Sequence, residues 1–82
     1  MKVLYFAWLR ERIGESEEMV EPAGAATVAD LIEVLKTRSE GHEIAFADTA
    51  ALRVAVDQKI ADFGAGIAGA EEIAFFPPMT GG

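Results

Sequence analysis

A chain with a single long helical stripe must draw the rest of its core from strands, and this sequence carries one such stripe. Val28, Leu31, Ile32 and Leu35 recur at i, i+3, i+4 and i+7, the spacing of one helix face. Thr27 stands before the stripe and Asp30 three residues later, in the manner of a capping box. Lys36 and Arg38 lie at the far end, where positive charge complements the helix dipole. The pattern predicts a helix over Val28–Arg38. Nothing polar interrupts the stripe, so it belongs to a core.

The flanking segments have strand character. Residues 2–9 place Val3, Tyr5 and Ala7 on one face and Leu4, Phe6 and Trp8 on the other. Both faces are apolar, which suits a central strand or one whose outer face meets a partner. Arg10 to Ile13 make one helical turn, stopped by Gly14. A second strand is expected over Met19–Glu21, broken by Pro22-Ala23-Gly24. Leu52–Val56 form a third strand, and Gln58–Phe63 continue it after a bend at Asp57-Gln58. Ile73–Phe76 form the last. Ser39–Thr49 is expected to be a polar connection, with His42 in solvent and Phe46 anchoring it to the core. Glu15, Glu17 and Glu18 are expected on a solvated turn and strand edge. The fold class is α+β: a mixed sheet of four to five strands packed on one main helix. The first two strands can pair as an antiparallel hairpin. A crossover through the helix can set the last strand beside the first.

Composition narrows the functions open to such a domain. With 82 residues there is room for one domain and one core, residues 1–82. A hydrophobic content of 51% is ample for a folded body. The chain has no cysteine, which excludes disulfides, thiol catalysis and thiolate metal sites. One histidine and scattered carboxylates give no metal spacing, and no metal site is assigned. A net charge of −7 disfavours nucleic acid and anionic membrane as partners. No apolar run is long enough to span a bilayer. The apolar start faintly resembles a signal peptide but lacks a convincing cleavage site, so a cytoplasmic protein is expected. Gly64-Ala65-Gly66-Ile67-Ala68-Gly69 matches G-x-G-x-x-G letter for letter. A dinucleotide site needs a helix to follow, with an acid about 20 residues on. Only 13 residues follow Gly69, and they run into prolines, so the match is loop composition.

Those prolines open the most informative stretch, Phe75-Phe76-Pro77-Pro78-Met79-Thr80-Gly81-Gly82. Pro77 lacks an N–H for a sheet ladder and fixes its own φ. Each proline pushes the preceding residue toward extension. The six residues from Pro77 onward can reach roughly 20 Å. None of the eight carries a charged side chain, and Gly81 and Gly82 have no side-chain bulk. A narrow, neutral thread ending in a carboxyl is shaped to enter another protein's active site. Phe75 and Phe76 alternate, so one of the two should face away from the core.

Taken together, Val3-Leu4-Tyr5-Phe6-Ala7, Leu9-Arg10-Glu11, Ala55-Val56-Asp57-Gln58 and Glu72-Ile73-Ala74-Phe75-Phe76-Pro77-Pro78-Met79-Thr80-Gly81-Gly82 resemble the small subunit of molybdopterin synthase. That family comprises MoaD-type sulfur carriers with a ubiquitin-like β-grasp fold. The resemblance spans nearly the whole chain. Asp57 stands where asparagine is common, and Ala70 where a turn glycine is common. The resemblance implies that the Gly82 carboxylate is the reactive group. A ubiquitin-activating-type (MoeB-type) enzyme would adenylate it, consuming ATP, and a sulfur-donating enzyme would supply the thiocarboxylate sulfur. The large subunit (MoaE-type) would receive the tail and pass the sulfur to precursor Z, forming the molybdopterin dithiolene. The chain would bind no cofactor and would not be catalytic alone. Phe6, Ile60 and Phe76 match partner-meeting positions. Phe75, Pro77, Pro78, Met79, Thr80 and Gly81 complete the expected partner-binding set. The last strand could also extend a partner's sheet. A carrier for thiamine or tRNA thiolation, a ubiquitin-like modifier of lysines, and a plain interaction domain are the alternatives.

Overall fold

The computed structural model describes residues 1–78; the expectations for Met79, Thr80, Gly81 and Gly82 lie outside them. The elements in chain order are β1 (Lys2–Tyr5), α1 (Trp8–Ile13), β2 (Glu17–Met19), α2 (Val28–Lys36), α3 (Glu40–Ala45), a 3-10 turn (Thr49–Ala51), β3 (Arg53–Val56), β4 (Lys59–Ala61) and β5 (Glu72–Phe76). The five strands form one sheet in the order β2-β1-β5-β3-β4. β1 and β5 run parallel at its middle, and the other neighbours are antiparallel. The crossover through α2 does set the last strand beside the first. This is the β-grasp architecture implied by the resemblance.

α2 forms where its stripe placed it, with Val28, Leu31, Ile32 and Leu35 buried. Its capping box is complete. Thr27 Oγ1 accepts the Asp30 N–H (3.2 Å), and Asp30 Oδ2 accepts the Thr27 N–H (3.3 Å). The helix ends at Lys36, two residues short of the expected Arg38. Arg38 turns instead toward Glu18, 3.5 Å away.

The first strand also ends early. The Phe6 N–H still bonds the Phe75 carbonyl (3.1 Å), but Ala7 takes φ 55° and ψ −132°. That geometry makes a tight turn, closed by the Leu9 N–H on the Phe6 carbonyl (3.2 Å). It leads into α1, which buries Leu9. The second strand sits two residues earlier than expected, with Leu4, Val3 and Lys2 opposite Glu17, Glu18 and Met19.

Ser39–Thr49 is not a plain polar connection. Ser39 Oγ accepts the His42 N–H (3.1 Å) and caps α3. α3 buries His42 and Ala45, and Phe46 follows them into the core. Gly41 permits this packing: a Cβ there would collide with the Arg12 carbonyl oxygen of α1. The expectation of a solvent-exposed His42 is therefore wrong. Its ring lies edge-on to Tyr5, and the series runs on through Tyr5–Phe46 and Phe46–Phe75, centroids 5.8, 6.2 and 5.0 Å apart.

Glu18 is likewise not solvated. Its Oε2 accepts the Tyr5 hydroxyl (2.7 Å) and faces His42 Nε2 (2.7 Å). Ser39 Oγ lies 2.7 Å from His42 Nδ1. With the Nε2–H tautomer assigned from this network, Ser39 donates to Nδ1 and every polar group is satisfied. Burial opposes ionisation of Glu18, but the hydrogen bonds from His42 and Tyr5, helped by Arg38, outweigh it and hold its carboxyl below the usual value. Burial, then the bond to Glu18, pushes the Tyr5 hydroxyl well up.

Candidate docking face and tail root

Alternation along β5 decides what the sheet presents. Ile73 and Phe75 point into the core and are fully buried, while Ala74 and Phe76 share the opposite face. Phe75 thus leaves the expected partner-binding set: it fills the space beside Phe46, and Phe76 is the residue that faces outward. β5 also cannot extend a partner's sheet, because β1 and β3 occupy both its edges.

Ladder register gives the open face its pattern. One row reads Glu17, Leu4, Ala74, Ala55, Ile60 across all five strands. Toward the tail, Phe76 pairs with Arg53, and Phe6 lies just past the end of β1. Toward the opposite end, Lys2 sits between Met19 and Glu72. The face therefore carries Lys2 and Glu72 at one end, and Phe6 and Phe76 with Arg53 beside them at the end from which β5 leaves the sheet. Phe6 is 46% exposed and Ile60 is 75% exposed. Large apolar side chains left so open on one face mark a contact surface, although β5 and β3 lie between these two.

Phe6, Ala7, Ala74, Phe76, Pro77 and Pro78 line a shallow groove of about 460 Å³ at the root of the tail. Phe6, Phe76, Pro77 and Pro78 are thus brought together as expected. Ile60 shares the face but not the groove, because it lies two strands from β5, roughly 10 Å away. Leu4, Ala7, Ala55 and Ala74 lie on this face although none belongs to the expected partner-binding set. Alanine carries no signal of its own there, and only the register shows that two alanines leave a low strip between Leu4 and Ile60.

The G-x-G-x-x-G segment meets a helix N-terminus, but with the wrong groups for a phosphate. The Phe63 and Ala65 carbonyls accept the N–H groups of Ala29 and Val28 (2.8 and 3.0 Å). The first donors of α2 are consumed by this loop, which offers oxygens where an anion site needs N–H groups. The residue at positive φ here is Gly69 (75°), so the glycine replaced by Ala70 is not the one this turn requires. A larger polar recess, about 530 Å³, lies at the charged end of the sheet. Its Asp57 Oδ1 already accepts the N–H groups of Glu71 and Glu72 (2.9 and 3.0 Å). No helix among the described residues is long and apolar enough to cross a membrane.

The fold and this face define a ubiquitin-like β-grasp domain with an exposed apolar groove at the root of its last segment. Residues 3–82 match the ThiS family, and the chain belongs to it. It is 37% identical over 82 residues to the molybdopterin synthase sulfur carrier subunit of Escherichia coli K12, covering 100% of this chain and 99% of that one. The Haemophilus influenzae protein of the same name is 34% identical with the same coverage. Among solved structures, SAMP1 from Haloferax volcanii superposes with a TM-score of 0.74 at 28% identity, covering 100% of this chain and 98% of that one. A Pyrococcus furiosus chain described as molybdopterin converting factor, subunit 1, gives 0.71 at 29%, covering 95% of each.

Proposed function

We propose that this chain is the sulfur-carrier small subunit of a molybdopterin synthase, acting in the cytoplasm. The observation that carries the reading is the full-length likeness to two sulfur carrier subunits of that enzyme, in a chain that carries Phe-Phe-Pro-Pro-x-x-Gly-Gly over residues 75–82. The apolar groove from which Pro77 and Pro78 depart supports it.

In this reading the Gly82 carboxylate attacks the α-phosphorus of ATP on a ubiquitin-activating-type (MoeB-type) enzyme, and pyrophosphate leaves. The terminal sulfur of a donor enzyme's persulfide then attacks the acyl carbon, and AMP leaves. A thiol cleaves the resulting acyl disulfide, leaving the thiocarboxylate here and a disulfide on the donor. The resulting thiocarboxylate enters the large (MoaE-type) subunit, where its sulfur passes to precursor Z. This chain contributes reach, docking and an unhindered carbonyl carbon; glycine leaves that carbon open to approach. Acid–base groups come from the partners, so the chain is not an enzyme alone. The uncharged tail enters a protein pocket without the desolvation cost of a charge.

Complementation tests the reading. In a bacterium deleted for its own small subunit, this chain should restore molybdenum-enzyme activity, and a version lacking Gly81 and Gly82 should not. Restoration by both would remove the tail from the mechanism. Recovery of thiamine synthesis instead would assign the carrier to another pathway.

A further inference from the structure

We propose that Arg53 is a specificity-determining residue of the docking face: it takes a carboxylate of the large subunit as the tail is delivered. The inference rests on the function proposed above and adds a residue to it.

Three observations meet at Arg53. First, it pairs with Phe76 across β3 and β5, so it stands on the open face beside the tail root. Second, its guanidinium is already held. An Nη1 N–H donates to the Leu52 carbonyl (2.8 Å), which leaves the other donors of the fork for a partner. A side chain fixed in this way loses less freedom on binding than a loose one. Third, among the described residues it makes no ion pair. The ion pairs there involve Lys2, Lys36 and Arg38. Asp62, the next position opposite it in the β3–β4 register, shares a small recess with it. Asp62 Oδ1 accepts the Gly64 N–H (2.9 Å), and a partner's carboxylate would compete with Asp62 for the guanidinium.

The charge of the whole molecule gives this position its meaning. The chain carries 14 acidic and 7 basic residues, so most of its surface repels a carboxylate. On the open face, Lys2 sits 3.8 Å from Glu17 and opposite Glu72, at the charged end. Glu17 lies three strands from Arg53, about 14 Å away. Arg10, Arg12 and Lys59 also make no ion pair among the described residues, but Arg53 is the one cation in register with Phe76 at the tail root. Its pair with a partner's carboxylate, bordered by Phe76, is shielded from water once docked and takes the planar bidentate form that lysine cannot copy. It would fix the rotation of the body on its partner, so that the tail enters its pocket in register.

The test measures binding of the purified chain to the purified large subunit of the same organism at low and high salt. Arg53→Ala should weaken binding about ten- to a hundredfold at low salt, as expected for one charge-assisted contact. Arg53→Lys should fall between, and Arg53→Glu should be weakest. The deficit should shrink as salt rises, with the thermal midpoint unchanged. Wild-type affinity in both Arg53→Ala and Arg53→Glu would overturn the proposal. So would a salt-independent loss accompanied by a lower midpoint, which marks a structural role. Phe76→Ala separates the two readings. If it weakens binding while the Arg53 variants do not, only this inference fails; if neither matters, the docking face itself is wrong.

Discussion

His42 Nε2 lies 2.7 Å from Oε2 of Glu18, 24 residues away in sequence, and this contact ties α3 to the edge strand β2. The Glu18 carboxyl is held below its ordinary 4.5. A group with a lowered folded value adds stability above its unfolded value and loses it as pH falls through the folded one. The thermal midpoint of the wild type should therefore drop as pH is taken below about 4.5. Glu18→Gln, which cannot take up that proton, should start lower at neutral pH and show a shallower acid decline. Parallel curves for the two proteins would show that Glu18 has no part in the acid transition.

Phe75 and Phe76 are neighbours with opposite duties. Phe75→Ala removes a ring packed against Phe46 in the core and should cost about 3–5 kcal/mol by denaturant unfolding. Phe76→Ala should cost about 1 kcal/mol, yet weaken binding to the large subunit roughly thirtyfold or more. A reversal of the two effects would place the wrong phenylalanine on the surface.

Asp57 combines a strained backbone with a capping role. Asp57 and Gln58 both take positive φ (48° and 70°), the two-residue turn that closes the β3–β4 hairpin. Asp57→Ala loses the acceptor for the Glu71 and Glu72 N–H groups and puts an alanine in a left-handed position, so about 1–2 kcal/mol should be lost. Asp57→Asn keeps the acceptor and tolerates the turn; it should stay within about 0.5 kcal/mol of wild type. Equal losses in both variants would contradict the capping role.

Gly41 sits inside α3, where alanine would ordinarily gain about 1 kcal/mol in helix propensity. Here the new methyl meets a backbone carbonyl of α1, which cannot swing aside as a side chain would. Overpacking of about 1–3 kcal/mol should win, and Gly41→Ala should lower the thermal midpoint. A raised midpoint would mean that α1 and α3 are not so closely packed.

What the sequence made legible follows from how much local signal each part carries. α2 announced itself through its stripe and its Thr27–Asp30 cap, because both are set within a few residues. β1 and β5 were visible as apolar runs, and the prolines marked where β5 must stop. α3 was hidden: it is one short turn and a half, and its inward face includes His42, whose polarity reads as solvent. Only tertiary partners, Glu18 on β2 and Tyr5 on β1, make burying that ring acceptable. The docking face was half legible. Phe6, Ile60 and Phe76 came from the family resemblance, whereas Ala55, Ala74 and Arg53 join them only through strand register. Phe75 stands in the expected contact set because alternation says that two adjacent phenylalanines part ways, without saying which one turns inward.

The central claim is that the carboxyl of Gly82 carries sulfur, and intact mass tests it most directly. The purified chain is incubated with ATP, a sulfur donor and the activating enzyme, beside a known carrier as control. The account predicts a mass gain equal to the exchange of one oxygen for sulfur, absent without ATP and absent when Gly81 and Gly82 are deleted. An unchanged mass under conditions that convert the control carrier would contradict it.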